Sequence, residues 1–81
     1  MANFDPEAQV VRVFKEKCRL AGGAKAGFNL RRESILYGTS DEQRLACDEA
    51  IGTMVESGLL VGNEPGDRFI LTEDGVAALA D

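Results

Sequence analysis

The stretch that decides the fold is ESGLLVGNEPGDRFILTEDG, Glu56 to Gly75. Gly58 suits the left-handed cap that ends a helix, because glycine takes positive φ without a Cβ penalty. LLVGN and DRFIL then flank Glu64-Pro65-Gly66-Asp67. Proline sets the first corner of that turn and glycine allows the second, so the segment reads as a β-hairpin. Leu59 and Val61 are expected to share one face of it, paired with Phe69 and Leu71. Thr72 caps a closing helix, with Glu73 and Asp74 in the first turn, where the helix dipole favours negative charge. Val76, Ala77, Leu79 and Ala80 give that helix a small apolar face, and Gly75 weakens it.

Working upstream, TSDEQRLACDEAIGTMVESG predicts the strongest helix, over 39–57. Thr39 with Glu42, or Ser40 with Gln43, has the spacing of a capping box. Cys47, Ala50, Ile51, Met54 and Val55 fall on one face; Asp48, Glu49, Gly52, Thr53 and Glu56 fall on the other. Before it, RRESILYG reads as a helix of about two turns. Ile35 and Leu36 face inward, and Tyr37 is open between an inward place and the surface. FNL suits a short strand at most, with Phe28 and Leu30 alternating about Asn29. The first helix starts at Asp5 as N-cap with Pro6 behind it and stops at Gly22-Gly23. Val10, Val11, Phe14 and Cys18 form its apolar face, with Val13 at the margin. The expected core is Val10, Phe14, Cys18, Leu36, Cys47, Ile51, Met54, Val55, Leu59, Phe69 and Leu71.

Eighty-one residues, 44% of them hydrophobic, suffice for one domain with one modest core. No apolar run is long enough to cross a bilayer, and no basic start precedes an apolar stretch as in a signal peptide. The Met-Ala start is read as that of a complete short reading frame, and the cytoplasm is the expected compartment. The two cysteines stand without a CxxC pair or any histidine. They are read as small buried hydrophobes rather than as a disulfide or zinc site. The net charge of −5 is unevenly spread: residues 1–32 carry +4 and residues 33–81 carry −9. Such asymmetry points to a partner or to self-association, unless folding interleaves the halves.

The order is helix, short strand, helix, helix, hairpin, helix. It resembles the winged helix-turn-helix superfamily. The resemblance is carried by Ala50 to Leu79: Met54, Gly58, Leu59 and Leu60 at the helix-to-wing junction, then Leu71, Thr72, Glu73 and Gly75 opening the last helix. It covers the C-terminal half by residues and the N-terminal half by element order. It implies an α+β fold with a three-helix core, a C-terminal β-hairpin wing and a short closing helix. In DNA-binding members the equivalent of helix 39–57 enters the major groove and the wing touches the backbone. The positions facing bases would then be Ser40, Asp41, Gln43, Arg44, Cys47 or Asp48, and the wing would be Asn63 to Arg68.

The charge at those positions argues against that use. DNA affinity comes largely from Lys and Arg neutralising phosphates. Helix 39–57 has one basic residue, Arg44, against Asp41, Glu42, Asp48, Glu49 and Glu56. Arg44 has the chemistry to read guanine and Gln43 adenine, and the wing offers Arg68. A separate basic face would be Arg12, Lys15, Arg19, Lys25, Arg31 and Arg32, unless these are solvated charges or pair with the acidic half. The acidic helix is either a plain solvated surface or a rigid row of carboxylates offered to a basic protein. Small phage inhibitors that occupy another protein's nucleic-acid channel resemble this chain in size and charge. Leu45 and Leu60 are expected to be partly exposed, which suits an interface.

Catalysis is poorly supported. No histidine supplies a general base, and no phosphate loop or dinucleotide fingerprint occurs. No cofactor or metal is expected: Asp41-Glu42, Asp48-Glu49 and Glu73-Asp74 are explained by helix starts and exposed faces. The expected role is a non-catalytic macromolecule-binding module. The first reading is a protein-interaction adaptor or inhibitor using Asp41, Glu42, Leu45, Asp48, Glu49 and Glu56. The alternative is a DNA-binding regulator.

Overall fold

A computed structural model of the chain describes residues 4–63 and 67–79. The elements run α1 (Pro6–Leu20), β1 (Asn29–Arg31), α2 (Arg32–Ile35), α3 (Asp41–Glu56), β2 (Leu60–Gly62), β3 (Arg68–Leu71) and α4 (Glu73–Leu79). The fold is α+β. The three strands form one antiparallel sheet in the order β1-β3-β2, so β1 completes the hairpin on its far side. The tip of the turn expected at Glu64 to Asp67 lies outside the described residues except for Asp67. Ala80 also lies outside them.

Caps set the ends of both long helices. The Asp5 carboxylate accepts the Ala8 N–H at 3.1 Å. Ser40 and Gln43, not Thr39 and Glu42, make the capping box: Ser40 Oγ accepts from Gln43 N at 3.2 Å, and Gln43 Oε1 accepts from Ser40 N at 3.0 Å. At the other end of α3, Gly58 sits at φ 80°. Its N–H reaches the Val55 carbonyl, and the Leu59 N–H reaches that of Met54 at 2.9 Å. These are the paired bonds of a Schellman cap. Helix α1 ends the same way, with Gly23 N–H on Cys18 O at 2.7 Å.

The core gathers Val10, Phe14 and Cys18 of α1, Ile35 of α2 and its C-cap Leu36, Cys47, Ile51 and Met54 of α3, Leu60, Leu71 and Leu79. Val55, Leu59 and Phe69, expected in the core, are half-buried and pack against it. The largest departure is Leu60, expected to be partly exposed and only 1% exposed. The cap on α3 holds Leu59 before the strand begins, so β2 starts at Leu60. Its register pairs Leu60 with Leu71, Val61 with Ile70 and Gly62 with Phe69. Strand side chains alternate, so a one-residue slip exchanges the faces. Leu60 turns in and Val61, expected to turn in, is 51% exposed.

Helix α2 is shorter than expected, four residues with Leu36 as its C-cap. Tyr37 follows it and is 85% exposed. Thr72 caps α4 through Oγ1, which accepts the Gly75 N–H at 3.0 Å and donates to Gly58 O at 2.6 Å. Gly75 and Leu79 are the buried residues of α4; Ala77, expected on its apolar face, is exposed.

Candidate interaction surface

Helix α3 places Cys47, Ile51 and Met54 against α1 and the sheet. At 100° per residue, Glu42, Leu45, Glu49, Gly52 and Glu56 then fall within roughly 80° of arc on the opposite side. All five are exposed, Leu45 by 69%. This face presents three carboxylates, one large apolar side chain and no cation. From Glu42 to Glu56 it runs for about 21 Å.

Asp41 is exposed in the first turn, at the edge of this face. Asp48, assigned to the same surface from the sequence, has a different place. It is half-buried on the flank toward α2, where both carboxylate oxygens accept from the Arg32 guanidinium, Oδ1 from Nε at 2.9 Å and Oδ2 from Nη2. The bidentate geometry suits a planar guanidinium and ties α2 to α3. One turn earlier, Arg44 Nη2 donates to Glu33 Oε1 at 3.1 Å. That hydrogen bond and the adjacent positive charge hold the Glu33 carboxyl below the usual carboxylate range.

The side chains with the chemistry to read bases, Arg44 and Gln43, and the wing residue Arg68 have partners inside the chain. Arg44 is held by Glu33. The Gln43 carbonyl oxygen is committed to the capping box. Arg68 Nη1 donates to Asn29 Oδ1 at 2.8 Å across the sheet. Cys47, counted among the base-facing positions, is fully buried, and burial pushes its thiol up. A helix has one outward side, and position 47 lies across from it.

The basic residues expected on one face are divided. Arg32 belongs to the α2–α3 pair. Arg12 donates to Gln9 one turn back. Lys15 and Arg19 flank a hollow of about 280 Å³ closed by Gly23, Ala24 and Leu79. Arg31 lies elsewhere, beside an open cleft of about 570 Å³ between α1 and α2, with Val13, Glu16, Lys17, Glu33, Ser34 and Tyr37. Lys25 is exposed in the loop before β1. Positions 15 and 19 lie on one flank of α1 and positions 13, 16 and 17 on the other, which is why no single stripe forms. The cleft itself was missed from the sequence. Its one signal was Tyr37, an aromatic residue followed by glycine at the end of a short apolar run.

The chain has no histidine. Among the described residues no group of three His, Cys, Asp or Glu side chains is placed to hold a metal ion. No helix among them is long and apolar enough to cross a membrane. No protein-family model, no curated protein and no solved structure matches the chain.

Proposed function

We propose that this chain is a non-catalytic protein-interaction module of winged-helix type, an adaptor or inhibitor that docks a basic partner on the outer face of α3. One observation carries the reading: Glu42 and Glu49 flank an exposed Leu45 one turn to either side on a rigid helix, with Glu56 two turns further along and no cation among them. A charged rim about an apolar centre has the anatomy of a protein interface. The same face repels a phosphate backbone, and the nearby Arg44 is already bound to Glu33. The winged-helix part of the proposal is supported by the element order, in which the β2–β3 hairpin follows three helices and takes β1, from between α1 and α2, as its third strand.

The test is a photo-crosslinking residue at position 45, with position 20 as an equally exposed control, in extract of the host cell. Protein adducts at 45 and not at 20 are expected. In parallel, fluorescence anisotropy with mixed duplex DNA at low salt should show no binding. Micromolar duplex binding that weakens steeply with salt would reverse the proposal in favour of a DNA-binding regulator.

A further inference from the structure

The cleft between α1 and α2 and the outer face of α3 are opposite in character and adjoin. Within the cleft, Lys17 and Arg31 are exposed and have no ion-pair partner among the described residues. Of its two carboxylates, Glu33 is neutralised by Arg44, leaving Glu16 against two cations. Tyr37 stands at the cleft, 85% exposed, and Val13 adds an apolar side chain. Glu33 links the two regions: it lines the cleft and grips Arg44, which lies on the α2 flank of α3 beside the outer face. Across α2, therefore, a basic hollow bearing one exposed ring borders an acidic face bearing one exposed leucine.

We infer that the basic surface received by the α3 face is the Lys17–Arg31 cleft of a second copy of this chain, in a two-fold dimer that sets Leu45 of each copy against Tyr37 of the other. This rests on the α3 face being a protein-docking surface, as proposed above. Two adjoining patches of opposite charge favour a two-fold contact, because one rotation brings each patch onto its complement twice. Glu42 and Glu49 flank Leu45 by one turn on either side, so they reach Lys17 and Arg31 while leucine meets tyrosine. The apolar pair supplies burial at the centre and the charges fix register and exclude other pairings.

Sedimentation velocity on the whole chain tests this over a range of concentrations. At low salt the mean mass is expected to rise from one chain toward two, and at high salt to fall back. The variants K17E/R31E and E42K/E49K each present like charge on both patches. Each is expected to weaken the dimer about tenfold or more. Mixed in equal amounts they are complementary again, and the dimer should return as a heterodimer. All four positions are exposed, and circular dichroism will show that each variant keeps the fold. A single-chain mass at every concentration in low salt overturns the inference, as does failure of the folded mixture to associate. The unaltered chain supplies an independent check, since a crosslinker at position 45 should map to the segment 31–37 of a second copy. A position-45 adduct with a different protein, while this chain stays monomeric, removes the dimer and keeps the α3 reading. No adduct at all removes both.

Discussion

Gly75 is the sharpest test of the packing. It lies within α4, at ordinary helical φ, so helix propensity alone says that Gly75→Ala gains about 1 kcal/mol. The tertiary structure says the opposite. An added Cβ would sit 2.1 Å from the Leu59 carbonyl oxygen and 2.7 Å from Leu71 Cδ1, where ordinary contact begins near 3.4 Å. The Leu59 oxygen has little freedom to move. It accepts the Thr72 N–H at 3.2 Å and takes a lesser share of the Thr72 hydroxyl proton, which lies nearer Gly58 O, and Leu59 N–H closes the cap of α3. Relief therefore requires α4 to lift away from the α3–β2 junction. Overpacking of this kind costs roughly 1–3 kcal/mol, occasionally more. Weakening the Thr72 N–H bond to Leu59 O adds about 1 kcal/mol. Set against the propensity gain, the net loss is about 1–3 kcal/mol. For a domain of this size that lowers the melting temperature by roughly 4–24 °C. Thermal and urea unfolding followed by far-UV circular dichroism measure it directly. A Gly75→Ala chain as stable as the parent, or more stable, would refute the close approach of α4 to Leu59.

Gly52→Ala should move the other way, gaining about 0.5–1 kcal/mol in the same assay, because Gly52 is exposed in mid-α3 with nothing within 4 Å of an added Cβ. Phe14→Ala, at a fully buried position, should cost about 3–5 kcal/mol in urea unfolding and leave much of the chain unfolded. The Arg44-bound Glu33 is harder to protonate folded than unfolded. The stability this pair adds is therefore complete above the ordinary glutamate value of 4.5 and is lost as pH falls through the lower folded value. The difference in urea midpoint between the parent and Glu33→Gln should accordingly shrink toward zero across that acid window. Cys18 and Cys47 are buried, and burial pushes both thiols up. A thiol reagent should therefore label them at least about a hundredfold faster in denaturant than in the folded chain.

Helix boundaries were legible because their signals are local. The Asp5–Pro6 start, the Gly22-Gly23 stop and the Gly58 cap each need only neighbouring residues, whereas two overlapping pairs, Thr39–Glu42 and Ser40–Gln43, had the spacing of the box and the structure chose the second. The inward faces of α1 and α3 were legible for a related reason, since helical periodicity repeats often enough to be read in fifteen residues. The β2 face was not, because three residues of strand carry too little alternation to choose a register. The choice fell to the α3 cap and to pairing with Leu71, which lies eleven positions on from Leu60. In the same way the sequence marked Gly75 as a weak point of α4, and only the nearby Leu59 carbonyl shows why glycine is required there.

The candidate surface divides along the same line. The acidic character of α3 and the exposure of Leu45 follow from the order of residues, because a helix fixes which side chains share a side. Which charges remain available to a partner does not follow from it. Asp48 and Arg44 sit on the same helix as Glu42 and Glu49, yet they are claimed by Arg32 and Glu33, sixteen and eleven positions away. The cleft holding Lys17, Arg31 and Tyr37 draws its lining from α1, β1, α2 and the turn after α2. By itself, then, the sequence determined the long helices α1 and α3, their inward faces and the sign of charge on each segment, because those depend on contacts within a few residues. The tertiary structure alone decided the strand register, the charges cancelled inside the fold and the surfaces left facing outward, because those depend on which distant segments come to lie side by side.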